Sequence, residues 1–75
     1  MIKQDRVVID PEVCGGRPIV AGTRMRVVDV LEMLADGVSE AVILKDFPYL
    51  ESADIRACLS YAAGAVDHRI VKAAA

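Results

Sequence analysis

The chain has 75 residues, 55% of them apolar but only 4% aromatic, and nine Lys and Arg stand against eleven Asp and Glu for a formal net charge of -2. That length bounds it to one small domain with an aliphatic, alanine-rich core, which suits packed helices better than an all-β sandwich. The charge argues against a strongly basic nucleic-acid binder, no stretch is long and apolar enough for a membrane span, and the N-terminus lacks a signal-peptide core, so the cytoplasm is the expected compartment.

Charge is unevenly spread. Lys3, Arg6, Arg17, Arg24 and Arg26 face only Asp5, Asp10 and Glu12 in the first third, whereas Lys45, Arg56, Arg69 and Lys72 face eight acids in the rest. The N-terminal part is basic and the remainder acidic.

Arg6 to Ile9 is a β-branched run closed by Asp10-Pro11, which predicts an extended strand ending in a turn. Gly15-Gly16 permits positive φ, and Arg17 to Ala21 predicts a second strand, with Pro18 suited to its start. Gly22-Thr23 reads as a turn. A lone hairpin of this length is marginal in water, so the strands are expected to pair with something more, such as the same strands of a second subunit. Together with the small core, this predicts a homodimer.

From Val27 the period becomes helical. Val27, Val30, Leu31 and Leu34 share one face opposite Asp29, Glu32 and Asp36, with Gly37 as the stop. Ser39 is placed to cap a second helix with Val42, Ile43 and Phe47 on its apolar side, ended by Pro48. Ser52 repeats the capping logic for a third helix, whose stripe runs Ile55, Cys58, Leu59, Ala62 and Val66 towards Ile70, with Arg56, Ser60 and Asp67 outside. The connector F-P-Y-L-E is short. Two helices so joined fit a helix-turn-helix, and equally any compact bundle.

The expected fold is therefore mostly α within the α+β class: two short N-terminal strands followed by a three-helix, helix-turn-helix-like bundle. One domain covers 1–75, with a strand-turn-strand arm at 6–26 and the helical bundle at 27–72.

Chemistry-bearing residues are sparse. Gly15, Gly16 and Gly22 match the spacing of neither a dinucleotide fingerprint nor a P-loop. Cys14 and Cys58 form no C-x-x-C pair and read as ordinary thiols. His68 is alone, and Asp5, Asp10 and Glu12 are scattered, so no catalytic set, metal site or cofactor is expected and the chain reads as a binding protein rather than an enzyme. Arg24 and Arg26 would point to one side of an extended chain, with the Thr23 hydroxyl beside them. Such a pair can hold phosphate oxygens, or one arginine can instead pair with Asp29 or Asp10. Arg17 adds a third cation to the arm, and Ser52, Arg56 and Ser60 can face a major groove if the helix-turn-helix reading holds. These six residues are the candidate DNA contacts.

The run I-D-P-E-V-C-G-G-R-P-I-V-A-G-T-R-M-R-V resembles the bacterial and archaeal family known as domain of unknown function 433, in its I-D-P (Ile9 to Pro11), G-G-[KR]-P (Gly15 to Pro18) and G-T-R (Gly22 to Arg24) elements. L-A-D-G-V-S-E-A-V-I-L-K-D-F-P-Y-L and D-I-R-A-C-L-S-Y-A resemble its helical half, so the likeness covers roughly residues 6 to 63. Ala21 stands where the family often has arginine, and Met25-Arg26 where isoleucine and proline are common. The resemblance implies a small, dimeric, antitoxin-like helix-turn-helix domain that partners a PIN-type toxin in a type II toxin-antitoxin system, with operator DNA as a second candidate partner in autoregulation. The alternative is a protein-interaction or dimerisation module without DNA binding.

Overall fold

The computed structural model describes residues 2–4 and 6–69. Expectations placed on Asp5, Ile70 and Lys72, and on the side chains of Lys3, Asp67, His68 and Arg69, lie outside the described residues.

Three short strands form one antiparallel sheet: β1 (Ile2–Gln4), β2 (Val7–Ile9) and β3 (Ile19–Val20), in the order β1-β2-β3. The register sets Ile2 opposite Ile9, Val7 opposite Val20 and Val8 opposite Ile19. β1 was not expected, because three residues that include Lys3 and Gln4 carry no alternation to mark them. It pairs the far edge of β2 within the chain. The argument that the strands need a second subunit to complete a sheet therefore loses its ground.

The Ile-Asp-Pro element is a turn: the Asp10 carboxylate accepts from the Glu12 amide at 2.9 Å, and the Asp10 carbonyl from the Val13 amide at 2.9 Å. A single left-handed turn, Cys14–Gly16, follows with φ of 51°, 67° and 81°. No atom would crowd a Cβ on Gly15, so glycine serves backbone conformation here and not close packing. β3 then folds back on residues 25 and 26 through an Ile19–Arg26 bridge and a 2.9 Å bond from the Val20 amide to the Met25 carbonyl.

Helix α1 (Val27–Ala35) ends in a Schellman closure, with the Val38 amide on the Met33 carbonyl, the Gly37 amide on the Leu34 carbonyl and Gly37 at φ 89°. Helix α2 (Glu40–Asp46) starts where expected, the Ser39 hydroxyl accepting from the Val42 amide at 3.2 Å. Helix α3 (Ser52–Arg69) starts differently. Ser52 lies inside the helix, and the carboxylate of Asp54 accepts from the Glu51 amide at 2.8 Å, the reciprocal half of a capping box. Ser52 does not cap because its hydroxyl is held by Glu40 of α2 and Arg56.

Val7, Val20, Met25, Val27, Val30, Ile43, Leu50, Ile55 and Cys58 form the core, between the sheet and the three helices. Each such side chain contributes roughly 1.5 to 3 kcal/mol by leaving water. Three residues read as core are not. Val42 is 45% exposed, Leu59 47% and Val66 72%. At about 100° per residue, the buried arc of α3 runs through Asp54, Ile55, Cys58 and Tyr61, and Leu59 and Val66 lie beyond one edge of it. Hydropathy missed the true arc because a carboxylate, Asp54, is part of it.

Candidate functional site

The turn at Gly22 to Arg24 is locked from within. The Thr23 hydroxyl donates to the Val20 carbonyl at 2.8 Å and accepts from the Met25 amide at 2.9 Å, so it is not free for a ligand. Met25 enters the core, and alternation along the extended chain leaves Arg24 exposed and Arg26 half-exposed on the other side.

The two arginines have separate roles. Arg26 grips Asp29 with two parallel bonds, Nε to Oδ2 at 3.0 Å and Nη2 to Oδ1 at 2.9 Å, across the first turn of α1. That hydrogen-bonded carboxylate raises the Arg26 pKa above its ordinary value. Of the alternatives for this pair, Arg26 takes the salt bridge. Arg24 makes no ion pair among the described residues and borders a shallow depression with Gly22, Thr23 and Tyr49. Tyr49 comes from the α2–α3 connector, is 56% exposed, and leans edge-on against Phe47 at 6.2 Å between ring centres. The G-T-R turn and the F-P-Y-L-E connector thus meet at one surface, and Tyr49 is a residue of it that charge and period did not single out.

Ser52, Arg56 and Ser60 do lie along one side of α3, one turn apart. Arg56 Nη1 donates to the Ser52 hydroxyl at 3.2 Å, and Ser52 donates to the Glu40 carboxylate. The chain ends on an acid, which offsets the Arg56 charge facing any phosphate.

Arg6 was read only as part of a basic arm. Its Nη1 lies 3.0 Å from Asp54 and 3.2 Å from Glu51, tying the loop before β2 to the start of α3. These bonds, Asp54 first, raise the arginine pKa. The signal available in the sequence was Asp54 itself, an acid three residues after Glu51 at a helix start. Cys58 is fully buried, and burial pushes its thiol pKa up to about 11.

Arg17 follows the left-handed turn, its amide on the Cys14 carbonyl at 3.3 Å, and stands at the edge of an apolar groove between α1 and α3. Val28 and Leu31 form one wall, Ala62 and Val66 the other, and Pro18 an end. No helix among the described residues is long and apolar enough to cross a membrane.

A three-stranded sheet under three helices, with Arg24 and Tyr49 bordering one shallow depression and an open groove elsewhere, defines a small α+β domain. The chain belongs to the family described as "Protein of unknown function (DUF433)", whose model matches residues 7–62. It is also 39% identical over 56 residues to "Uncharacterized protein y4eO" of Sinorhizobium fredii (strain NBRC 101917 / NGR234). That match covers 75% of this chain and 25% of the relative, so the chain spans about a quarter of that protein's length. No solved structure gives a significant match.

Proposed function

We propose that this chain is the antitoxin-like component of a type II toxin-antitoxin pair, a cytoplasmic binding protein and not an enzyme, whose partner is a PIN-type toxin. The toxin class comes from the family resemblance. The observation that supports a protein partner is the set of apolar side chains left in water, Leu59 and Val66 on α3 and Val28 on α1, of which Val66 and Val28 line one groove. A contiguous apolar patch of this kind on a small domain marks an interaction surface. The small core also favours a homodimer, for which sedimentation should give twice the chain mass.

The test is co-expression with the product of the adjacent reading frame. That product alone should arrest growth, the chain should relieve the arrest, and the two should co-purify. A harmless neighbour, or a toxic one that the chain neither binds nor relieves, counts against the reading.

Operator DNA is a second reading, favoured by Arg24, exposed and free of ion pairs among the described residues, beside the exposed Tyr49. Arg17 and Arg56 are the remaining exposed cations of the candidate set, with Ser60 next to Arg56 on the helix, whereas Arg26 and Ser52 are engaged internally. A phosphate contact by Arg24 adds about 0.9 to the slope of log affinity against log salt on duplex DNA, so Arg24→Ala should flatten that slope by this amount. Binding to the upstream promoter with an unchanged slope would remove Arg24 from the interface.

A further inference from the structure

We propose that the groove between α1 and the C-terminal half of α3 receives a short amphipathic helix of a protein partner. An apolar ridge of that helix enters the groove, and a carboxylate beside the ridge meets Arg17. The proposal rests on the protein-partner reading above and deepens it by naming the partner's chemistry.

From Leu59 to Val66 the chain reads L-S-Y-A-A-G-A-V, eight residues of an 18-residue helix without a charge. Leu59, Ala62, Ala63 and Val66 are spaced i, i+3, i+4 and i+7, the stripe of a helix that packs against another helix. Among the described residues the stripe's outer members stay in water: Leu59 is 47% and Val66 72% exposed. Ala62 and Val66 are one wall of a cavity of about 250 Å³ whose opposite wall is Val28 and Leu31. That volume takes one or two large apolar side chains.

Size and charge select the occupant. On α3 the groove runs from Tyr61 to Val66, about 8 Å along the helix axis, or less than two turns. A specific pair of whole chains buries roughly 600 to 1,000 Å² on each partner, more than a strip two turns long provides by itself. A short helix from a partner matches it. Among the described residues Arg17 is the one charged residue lining the groove, and it makes no ion pair with any of them. Its position is set by the turn of positive-φ residues before it and by Pro18, whose carbonyl accepts from the Val27 amide at 3.0 Å. The G-G-R-P element therefore fixes the Arg17 backbone at the mouth of an apolar slot, with the side chain exposed there. A carboxylate flanking an apolar ridge is its complement, because charge-assisted bonds at a desolvated rim are stronger than neutral ones.

The test is selection of phage-displayed peptides of about twelve residues, roughly three helical turns, on the whole chain, followed by affinity measurement on the parent and on Arg17→Glu and Val28→Asp. Both variants alter solvent-exposed positions, and circular dichroism confirms that each retains its helices. Selected peptides should carry apolar residues at helical spacing with Asp or Glu alongside. Arg17→Glu should weaken them by on the order of tenfold, and changing the peptide acid to Lys should restore binding to that variant. Val28→Asp should abolish binding. Peptides without acids, or peptides that bind Arg17→Glu as well as the parent, would overturn the proposal. So would sedimentation showing a dimer that Val28→Asp dissociates, since a second copy would then fill the groove. Failure of the growth-rescue experiment leaves these peptide results intact, so the two readings fail separately.

Discussion

Replacing Asp54 by alanine removes two bonds that no neighbour can replace. Asp54 is only 7% exposed, and its carboxylate accepts from the Glu51 amide at 2.8 Å and from Arg6 at 3.0 Å. Loss of a side-chain cap at a helix start costs about 1 kcal/mol. The bond to a charged donor adds about 1 kcal/mol more, at the low end for such bonds, because the Arg6 side chain keeps 44% of its exposure and is partly solvated already. The sum, about 2 kcal/mol, compares with a total of roughly 4 to 11 kcal/mol for a domain of this length. Thermal unfolding followed by far-UV circular dichroism should then show a midpoint lower by about 10 °C. Asp54→Asn keeps a carbonyl oxygen for the Glu51 amide and should recover the capping part. In Arg6→Ala with Asp54→Ala, the total loss should fall short of the sum of the two single variants, since the bond they share is lost only once, while the capping part of Asp54 remains additive. An Asp54→Ala midpoint within about 2 °C of the parent, or full additivity in the double variant, would refute this account of how the loop before β2 is held to α3.

Other outcomes follow from burial and backbone geometry. Ile55→Ala, at a 1% exposed core position, should cost about 2 to 5 kcal/mol, whereas Val42→Ala, at 45% exposure, should stay within about 0.5 kcal/mol in denaturant titration. Gly37 sits at φ 89°, so Gly37→Ala should cost about 1 to 2 kcal/mol in the same titration although nothing crowds the new methyl group. Cys14, partly exposed, should react with a thiol reagent in the native state, and Cys58 only after unfolding. Since burial lifts the Cys58 thiol from its ordinary 9.0 to about 11, the unfolded chain binds fewer protons than the folded one between those values. The resulting contribution to stability is complete below pH 9 and is lost as pH rises towards 11; Cys58→Ala should show a shallower alkaline decline.

Much of the local structure was legible in the chain because its causes are local. Asp10-Pro11, Gly15-Gly16, Gly37, Ser39 and Pro48 each act through backbone conformation or a bond within a few residues, and the turns, cap and helix ends fall where they indicate. The α+β class, with strands before helices, followed from the change of hydrophobic period at Val27. The G-G-R-P and G-T-R elements could be read as strand-turn-strand geometry, though not as surfaces. What stands opposite Arg17 or Arg24 comes from residues more than twenty positions away in the chain, Tyr49 for one and the α3 wall for the other.

Tertiary structure alone decided which face of each element is turned inward. α3 has apolar residues around more than half of its circumference, so hydropathy could not choose between the arc through Cys58 and Tyr61 and the one through Leu59 and Val66. Arg6, arriving from a loop 48 residues earlier, binds Asp54 and compensates that carboxylate on the inner side, while burial of Ile55 and Cys58 supplies the larger energy. In this orientation Ile55 and Cys58 join the core, and Leu59 and Val66 are left in water. A local pair, Arg26 with Asp29 three residues on, separates Arg26 from the exposed Arg24 two residues earlier. Periodicity reports that a helix has an apolar side; packing against residues distant in the chain decides which side is turned inward.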